Sequence, residues 1–159
     1  MRIINTGGTF NKRYDPIKGE LFVPNDNRAV DAILGSLVVT IPVMGVIYKD
    51  SLEMDDQDRN VLGETIAQCE EKTLIIVHGT DTIDLSAAYV DALGLDKTVV
   101  FTGAMVPFHI DPLEATANLS MALGYARNAE KGVHIVIQGV MNSFKQVKKN
   151  KSAGKFEYV

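Results

Sequence analysis

Thr73-Leu74-Ile75-Ile76-Val77-His78-Gly79-Thr80-Asp81-Thr82 is the stretch on which the fold turns. Its first half is a short β-branched run with no apolar/polar alternation. Such a run suits a strand buried on both faces, the mark of a parallel sheet. Its second half sets two threonines and a carboxylate where that strand ends. Similar runs lie on either side: Ile3-Ile4, Val38-Val39-Thr40-Ile41, Gly45-Val46-Ile47-Tyr48, Thr98-Val99-Val100-Phe101 and Val133-His134-Ile135-Val136-Ile137. Helix-length segments separate them. Residues 55–71 put Val61, Leu62, Ile66 and Cys69 on one stripe, with acids in the first turn where the helix dipole favours them. Residues 82–93 are apolar with small side chains and are closed by Gly94, and residues 113–128 carry Ala117, Met121 and Tyr125 at i, i+4 spacing. A shorter helix is expected over 28–37. This alternation predicts an α/β fold, a three-layer αβα arrangement of a mainly parallel sheet with helices on both faces. Residues 10–27 break the pattern and read as a long loop, of the kind that is functional or mobile.

The chain has 159 residues, enough for one domain, and 1–159 is read as a single domain. Hydrophobic residues make up 46% and charged residues 23%, which excludes a disordered, collagenous or low-complexity chain. A net charge of −4 argues against a nucleic-acid-binding surface. No run approaches the ~20 apolar residues that span a bilayer, and no leader-length apolar stretch precedes the first glycines. The one cysteine, Cys69, excludes an internal disulfide and a cysteine zinc cluster, and suits a reducing compartment. The expectation is a cytoplasmic protein with no metal or organic cofactor, no nucleic-acid partner and no membrane partner.

Ligands of open α/β sheets bind at the carboxyl ends of strands. Four such ends carry hydroxyls or small residues. Thr6-Gly7-Gly8-Thr9 follows the first strand, and its glycines let the backbone turn sharply and approach a ligand. On spacing alone, a tight turn capped by threonines also accounts for it, and the G-x-G-x-x-G spacing of dinucleotide sites is absent. His78-Gly79-Thr80-Asp81-Thr82 offers three capping residues where a helix N-terminus needs one. Thr102-Gly103-Ala104-Met105 and Ser51-Leu52-Glu53-Met54 are the other two. A parallel sheet brings all four to one edge. A threonine hydroxyl is a weak nucleophile and needs a neighbouring base. His78, His109 and His134 form no persuasive triad; His134 lies inside an apolar strand, and His78 is assigned no chemistry. A lysine that is desolvated or placed near another cation, so that part of it is neutral, is the other solution, and the last fifteen residues supply Lys145, Lys148, Lys149, Lys151 and Lys155.

Together these motifs resemble the bacterial-type L-asparaginase (asparaginase/glutaminase) family, over nearly the whole chain and in the family's order. Thr6-Gly7-Gly8-Thr9 looks like its first active-site signature and His78-Gly79-Thr80-Asp81-Thr82 like its second. Gly103-Ala104-Met105 and Asn118-Leu119 fit the stretch between that signature and the lysine segment, which matches Val147-Lys148-Lys149-Asn150. The resemblance implies an amidohydrolase that converts L-asparagine to L-aspartate and ammonia through a covalent acyl-enzyme. In it Thr9 is the nucleophile, Thr80, Asp81 and Lys149 form a hydrogen-bonded set, and Tyr14 arrives on a closing loop. Ser51 binds the substrate α-carboxylate, with Leu52 and Ala104 as further substrate contacts, and Asp81 also holds the α-ammonium. Strand alternation lets only one of Lys148 and Lys149 face inward, and the family position favours Lys149. Most members carry a second, smaller domain after the lysine segment, and this chain is read as a short single-domain member without it. Leu52 stands where many members have glutamine and Glu53 where many have aspartate, so fewer fixed contacts hold the substrate. The resemblance also implies a homodimer or homotetramer. Two other readings stay open: a glutaminase or other small-amide amidase, and a non-catalytic amino-acid-binding domain.

Overall fold

The structure is a computed structural model that describes residues 1–159. In chain order it contains β1 (Arg2–Gly7), the one-turn helix α1 (Gly8–Asn11), β2 (Arg13–Asp15), β3 (Glu20–Phe22), α2 (Arg28–Leu34) and β4 (Val43–Lys49). Then follow α3 (Asp56–Gln68), β5 (Thr73–Val77), α4 (Ile83–Ala92), β6 (Thr98–Thr102), α5 (Pro112–Ala126) and β7 (Gly132–Ile137). The chain ends with β8 (Val140–Ser143), β9 (Val147–Asn150) and β10 (Lys155–Tyr158). Short 3-10 turns at Ser51–Glu53 and Phe144–Gln146 join neighbouring elements.

Six strands form the central sheet in the order β4-β1-β5-β6-β7-β8. The first five are parallel. Only β8 reverses, through a two-residue turn in which Gln138 and Gly139 both take positive φ, the geometry that matches strand twist in tight hairpins. Side chains alternate between the two faces. Ile3, Ile75, Val77, Val100 and Val136 pack against α2 and α5, whereas Ile4, Ile76, Phe101, Ile135 and Ile137 pack against α3 and α4. Helices on both faces explain why these strands are apolar throughout. Caps set where the helices start: Asp55 and Asp58 make a reciprocal capping box ahead of α3, and the Asp111 side chain accepts from the Leu113 N–H ahead of α5, with Pro112 in the first turn.

Four local expectations are corrected. Val38-Val39-Thr40-Ile41 is not a strand; Val38 is fully exposed, and the sheet starts after it, where the Ile3 N–H donates to the Pro42 carbonyl. One strand, Val43–Lys49, serves the region in which two apolar runs stood. The buried stripe of α5 is Ala115, Asn118, Leu119, Ala122 and Leu123, while Ala117 is exposed and Met121 and Tyr125 flank it. A single i, i+4 line is narrower than the stripe a helix buries against a sheet, and here it lies to one side. For the same reason Val61 of α3 faces out while Leu62 and Ile66 face in. Residues 10–27 are not a featureless loop: β2 and β3 pair as a small antiparallel hairpin. Its short, polar, exposed strands carry no burial signal.

Candidate active site

The ends of β1, β5 and β6 and the turn after β4 meet at one edge of the sheet. Gly7 and Gly8 take φ of +96° and +67°, a region side chains avoid. A Cβ on Gly8 would lie 2.5 Å from the Gly79 backbone, so the two turns touch main chain to main chain. The buried Thr6 hydroxyl donates to the Val77 carbonyl at 3.0 Å and ties β1 to β5 at that height. Phe10, fully buried, anchors α1 and leaves Thr9 partly exposed at the turn. The loop after β6 is held from α5, where the Asn118 side-chain amide donates to the Gly103 carbonyl at 2.9 Å. The Glu114 carboxylate accepts the Met105 and Val106 N–H groups at 3.1 and 3.0 Å.

At this edge Lys149 Nζ donates to Thr80 Oγ1 and to Asp81 Oδ1, each at 2.8 Å. Thr80 is buried, and its hydroxyl is directed at Met105 Sδ, 3.3 Å away. The Lys149 side chain is only 10% exposed, whereas that of its ion-pair partner Asp81 is 36% exposed, so the pair is covered on the lysine side and open to solvent on the carboxylate side. Strand β9 delivers it. Val147 turns into the core, Lys148 turns out, and Lys149 turns back toward Thr80, held in register by pairing with Phe156 of β10. Ser51 is buried; its hydroxyl accepts the Asp81 N–H at 3.3 Å and its carbonyl accepts the Thr82 hydroxyl at 2.8 Å. That bond places the serine oxygen next to the Asp81 main chain.

Two further groups tune the edge. Lys12 Nζ lies 2.5 Å from Asp50 Oδ2. Burial pushes the Asp50 carboxyl up. The Lys12 hydrogen bond, the Leu52 N–H and the charges of Lys12 and Lys149 outweigh it and hold the group below the usual carboxylate range. His78 is fully buried, and burial depresses it from 6.5 to about 4. Its Nδ1 sits 2.7 Å from the Gly79 carbonyl, so the neutral ring donates from that nitrogen.

The structure therefore brings Thr80, Asp81, Lys149 and Ser51 into one hydrogen-bonded group, with Thr9 on the adjoining turn. It does not bring in the other predicted residues. Tyr14 sits on β2, 58% exposed, its hydroxyl 3.9 Å from where a Cβ on Gly19 would stand. Leu52 points into solvent, 68% exposed. Ala104 has no exposed surface and packs in the core cluster beneath this edge. Glu114, the Lys12–Asp50 pair and Asn5 were not picked out from the sequence. The available signal was polar side chains inside apolar elements: Glu114 and Asn118 lie one turn apart on α5, and Asn5 directly follows Ile3-Ile4 in β1. A cavity of about 550 Å³ runs from Asp81 and Lys149 under the β9–β10 hairpin to Phe156. A larger one, about 710 Å³, lies by His134 near the start of β7 and contains none of these residues. His134 there has partners on both ring nitrogens, the Tyr125 hydroxyl and the Glu130 carbonyl. No three His, Cys, Asp or Glu side chains gather as a metal-binding set.

Solved structures share this arrangement of strands. The thermostable L-asparaginase from Thermococcus kodakarensis superposes with a TM-score of 0.85 at 23% identity, over 99% of this chain and 50% of its own. L-asparaginase I from Vibrio cholerae gives 0.82 at 21% identity, over 99% of this chain and 50% of its own. A probable cytoplasmic L-asparaginase from Campylobacter jejuni gives 0.76 at 25% identity, over 93% of this chain and 48% of its own. The chain thus spans about half the length of each. No helix is long and apolar enough to cross a membrane. The sequence model described as the N-terminal part of asparaginase matches residues 1–156, which take in both threonine turns and the strand that carries Lys149, and the chain accordingly belongs to the asparaginase family.

Proposed function

We propose that this chain carries the nucleophile-bearing half of an amidohydrolase site, with L-asparagine as substrate and L-aspartate and ammonia as products. The observation that carries the reading is Lys149 Nζ at 2.8 Å from both Thr80 Oγ1 and Asp81 Oδ1, beside the turn that bears Thr9. Thr9 Oγ attacks the side-chain amide carbon, the hydroxyl proton passes to the departing nitrogen, and ammonia leaves an ester on Thr9. Water then attacks the ester carbon, the bond to Thr9 Oγ breaks, the water proton passes by way of Thr80 and Lys149 to Thr9 Oγ, and aspartate is released. Backbone N–H groups of the Thr9 and Thr80 turns stabilise the oxyanion. Asp81 holds the α-ammonium and Ser51 the α-carboxylate. Lys149 orders the Thr80 hydroxyl, and Asp81 balances the lysine charge. The β2–β3 hairpin is the closing segment in this reading, and its movement would carry Tyr14 from solvent to the site and exclude water. A cytoplasmic location and assembly as a homodimer or homotetramer belong to the same proposal.

Ammonia release from L-asparagine and L-glutamine by the wild type and by Thr9→Ala tests it, from neutral to alkaline pH and at high substrate. Turnover of asparagine that disappears in a folded Thr9→Ala variant is the expected result. Faster turnover of glutamine would move the substrate assignment to the longer amide. Silence with both amides from a folded chain would replace catalysis with amino-acid binding.

A further inference from the structure

We propose that Asn5 is a positioning residue of this site, one that locks the Thr9 turn to the base of the β2–β3 hairpin. The inference rests on the reading of Thr9 as the nucleophile. Asn5 is fully buried in β1 directly after Ile3 and Ile4, where an unbonded carboxamide would be expensive. All of its bonding capacity in view goes to two places. Its Oδ1 accepts the Gly7 N–H at 3.0 Å. Its Nδ2 donates to Asn27 Oδ1 at 3.0 Å and to the Asp26 carbonyl at 3.5 Å.

The first contact sits at an irregularity of the sheet. Asn5 pairs with Gly45 but Gly7 pairs with Lys49, so two steps along β1 match four along β4. The surplus of β4 contains Tyr48, whose φ is +58°. Its ring folds back over Gly45, where a Cβ would lie 1.5 Å from the Tyr48 hydroxyl, and that hydroxyl donates to Asn27 Oδ1 at 3.1 Å. The carboxamide of Asn5 thus supplies an acceptor where the ladder slips, on the residue that begins the left-handed turn to Thr9.

The second contact reaches the hairpin. The Asp26 carbonyl also accepts from Asn11 Nδ2 at 2.9 Å, and the same nitrogen donates to the Pro24 carbonyl at 3.0 Å. The Asp26 carboxylate holds Arg13 of β2 at 2.5 Å. Two carboxamides, one before Thr9 and one after it, therefore grip the same segment at the trailing end of the hairpin. Displacement of the hairpin pulls on both flanks of Thr9, and order in the hairpin fixes Thr9.

Three full-length variants separate the two grips. Asn5→Leu removes both at similar volume, Asn5→Asp keeps an acceptor for the Gly7 N–H and loses the donor, and Asn27→Ala leaves the Gly7 bond in place while removing the shorter hairpin-side bond together with the acceptor of the Tyr48 hydroxyl. Each is measured by kcat and KM for ammonia release, by hydrogen exchange of the Gly7 amide and by trypsin cleavage after Lys18. Asn5→Leu is expected to lower kcat on the order of 10- to 100-fold, the scale of a misplaced reacting group, with little change in KM. Its Gly7 exchange and Lys18 cleavage are expected to accelerate. Asn5→Asp is expected to recover Gly7 protection and part of kcat while Lys18 cleavage stays fast. Asn27→Ala is expected to speed Lys18 cleavage and raise KM with Gly7 exchange unchanged. A folded Asn5→Leu with wild-type exchange and cleavage overturns the clasp, and one with faster exchange but unchanged kcat overturns the positioning role. If Asn5→Leu does not fold, wild-type Lys18 cleavage in both Asn27→Ala and Asn5→Asp overturns the coupling. Failure of the amidohydrolase reading looks different: the wild type then releases no ammonia, while exchange and cleavage still decide whether the clasp exists.

Discussion

Lys148 and Lys149 are neighbours in sequence with opposite surroundings. Lys148 is exposed, whereas Lys149 bonds Thr80 and Asp81. Lys149→Met keeps much of the stem and removes both bonds, and ammonia release is expected to fall by about 10²-fold or more, the scale of a lost proton-transfer partner. Lys148→Met serves as the control and is expected to stay near wild type in the same assay. His78 gives a prediction about stability. The unfolded chain takes up a proton on His78 as pH falls below 6.5, while the folded chain resists until about 4. More protons on the unfolded state mean that stability declines as pH drops through that window, by about 3 kcal/mol in all. His109, also held below its ordinary value by burial, adds a slope of the same sign. The depressed carboxyls of Asp26, Asp50 and Asp58 act at lower pH, since their stabilisation is present above the ordinary carboxylate value and lost as they protonate. Urea midpoints at pH 7, 5.5 and 4 for the wild type and for His78→Asn check this. The slope should shrink in the variant, and a wild type with no slope between 6.5 and 4 would count against a neutral buried His78.

Among the elements, the turn from β1 into α1 carries the sharpest steric demand. Gly8 combines positive φ with a Cβ position 2.5 Å from Gly79. Gly8→Ala is therefore expected to lose about 2–4 kcal/mol of stability by urea unfolding, through backbone strain and overpacking together. A loss below about 1 kcal/mol would mean that the turn relaxes freely. Most of the elements were legible in sequence because their signals are local. A doubly buried strand is apolar at every position, and a helix shows its caps and its stripe. The misreadings came where the same residue types meet a different environment. Val38 and Val39 are as β-branched as Val99 and Val100, yet the sheet begins beyond them at Pro42. The β2–β3 hairpin stayed hidden because a strand that buries little has no pattern to show.

At the scale of the molecule, the sheet divides the apolar interior into two clusters. Leu119 belongs to the one under α2 and α5, and Ile66 to the one under α3 and α4. Both are fully buried. Leu119→Ala and Ile66→Ala are each expected to cost about 2–5 kcal/mol. With the sheet between them and no shared cluster, the double variant should equal the sum within about 0.5 kcal/mol. Chemical denaturation of the three variants measures both. A large deviation from additivity would mean that the sheet transmits strain from one face to the other.

The sequence by itself determined the α/β class, the parallel run of strands and the ends at which chemistry-bearing residues sit. These follow from periodicity and residue type, which act over a few neighbouring positions. Its two threonine signatures and the lysine segment, in order, also carried the family. Only the tertiary structure decided how closely Lys149 approaches Thr80 across 69 positions of chain, that the Ser51 hydroxyl engages the Asp81 N–H, that Ala104 is sealed in the core and that Tyr14 stands in solvent. Hydrogen bonds discriminate at the level of tenths of an ångström. Such distances are set by how whole strands and helices pack, and no local pattern of residues encodes them.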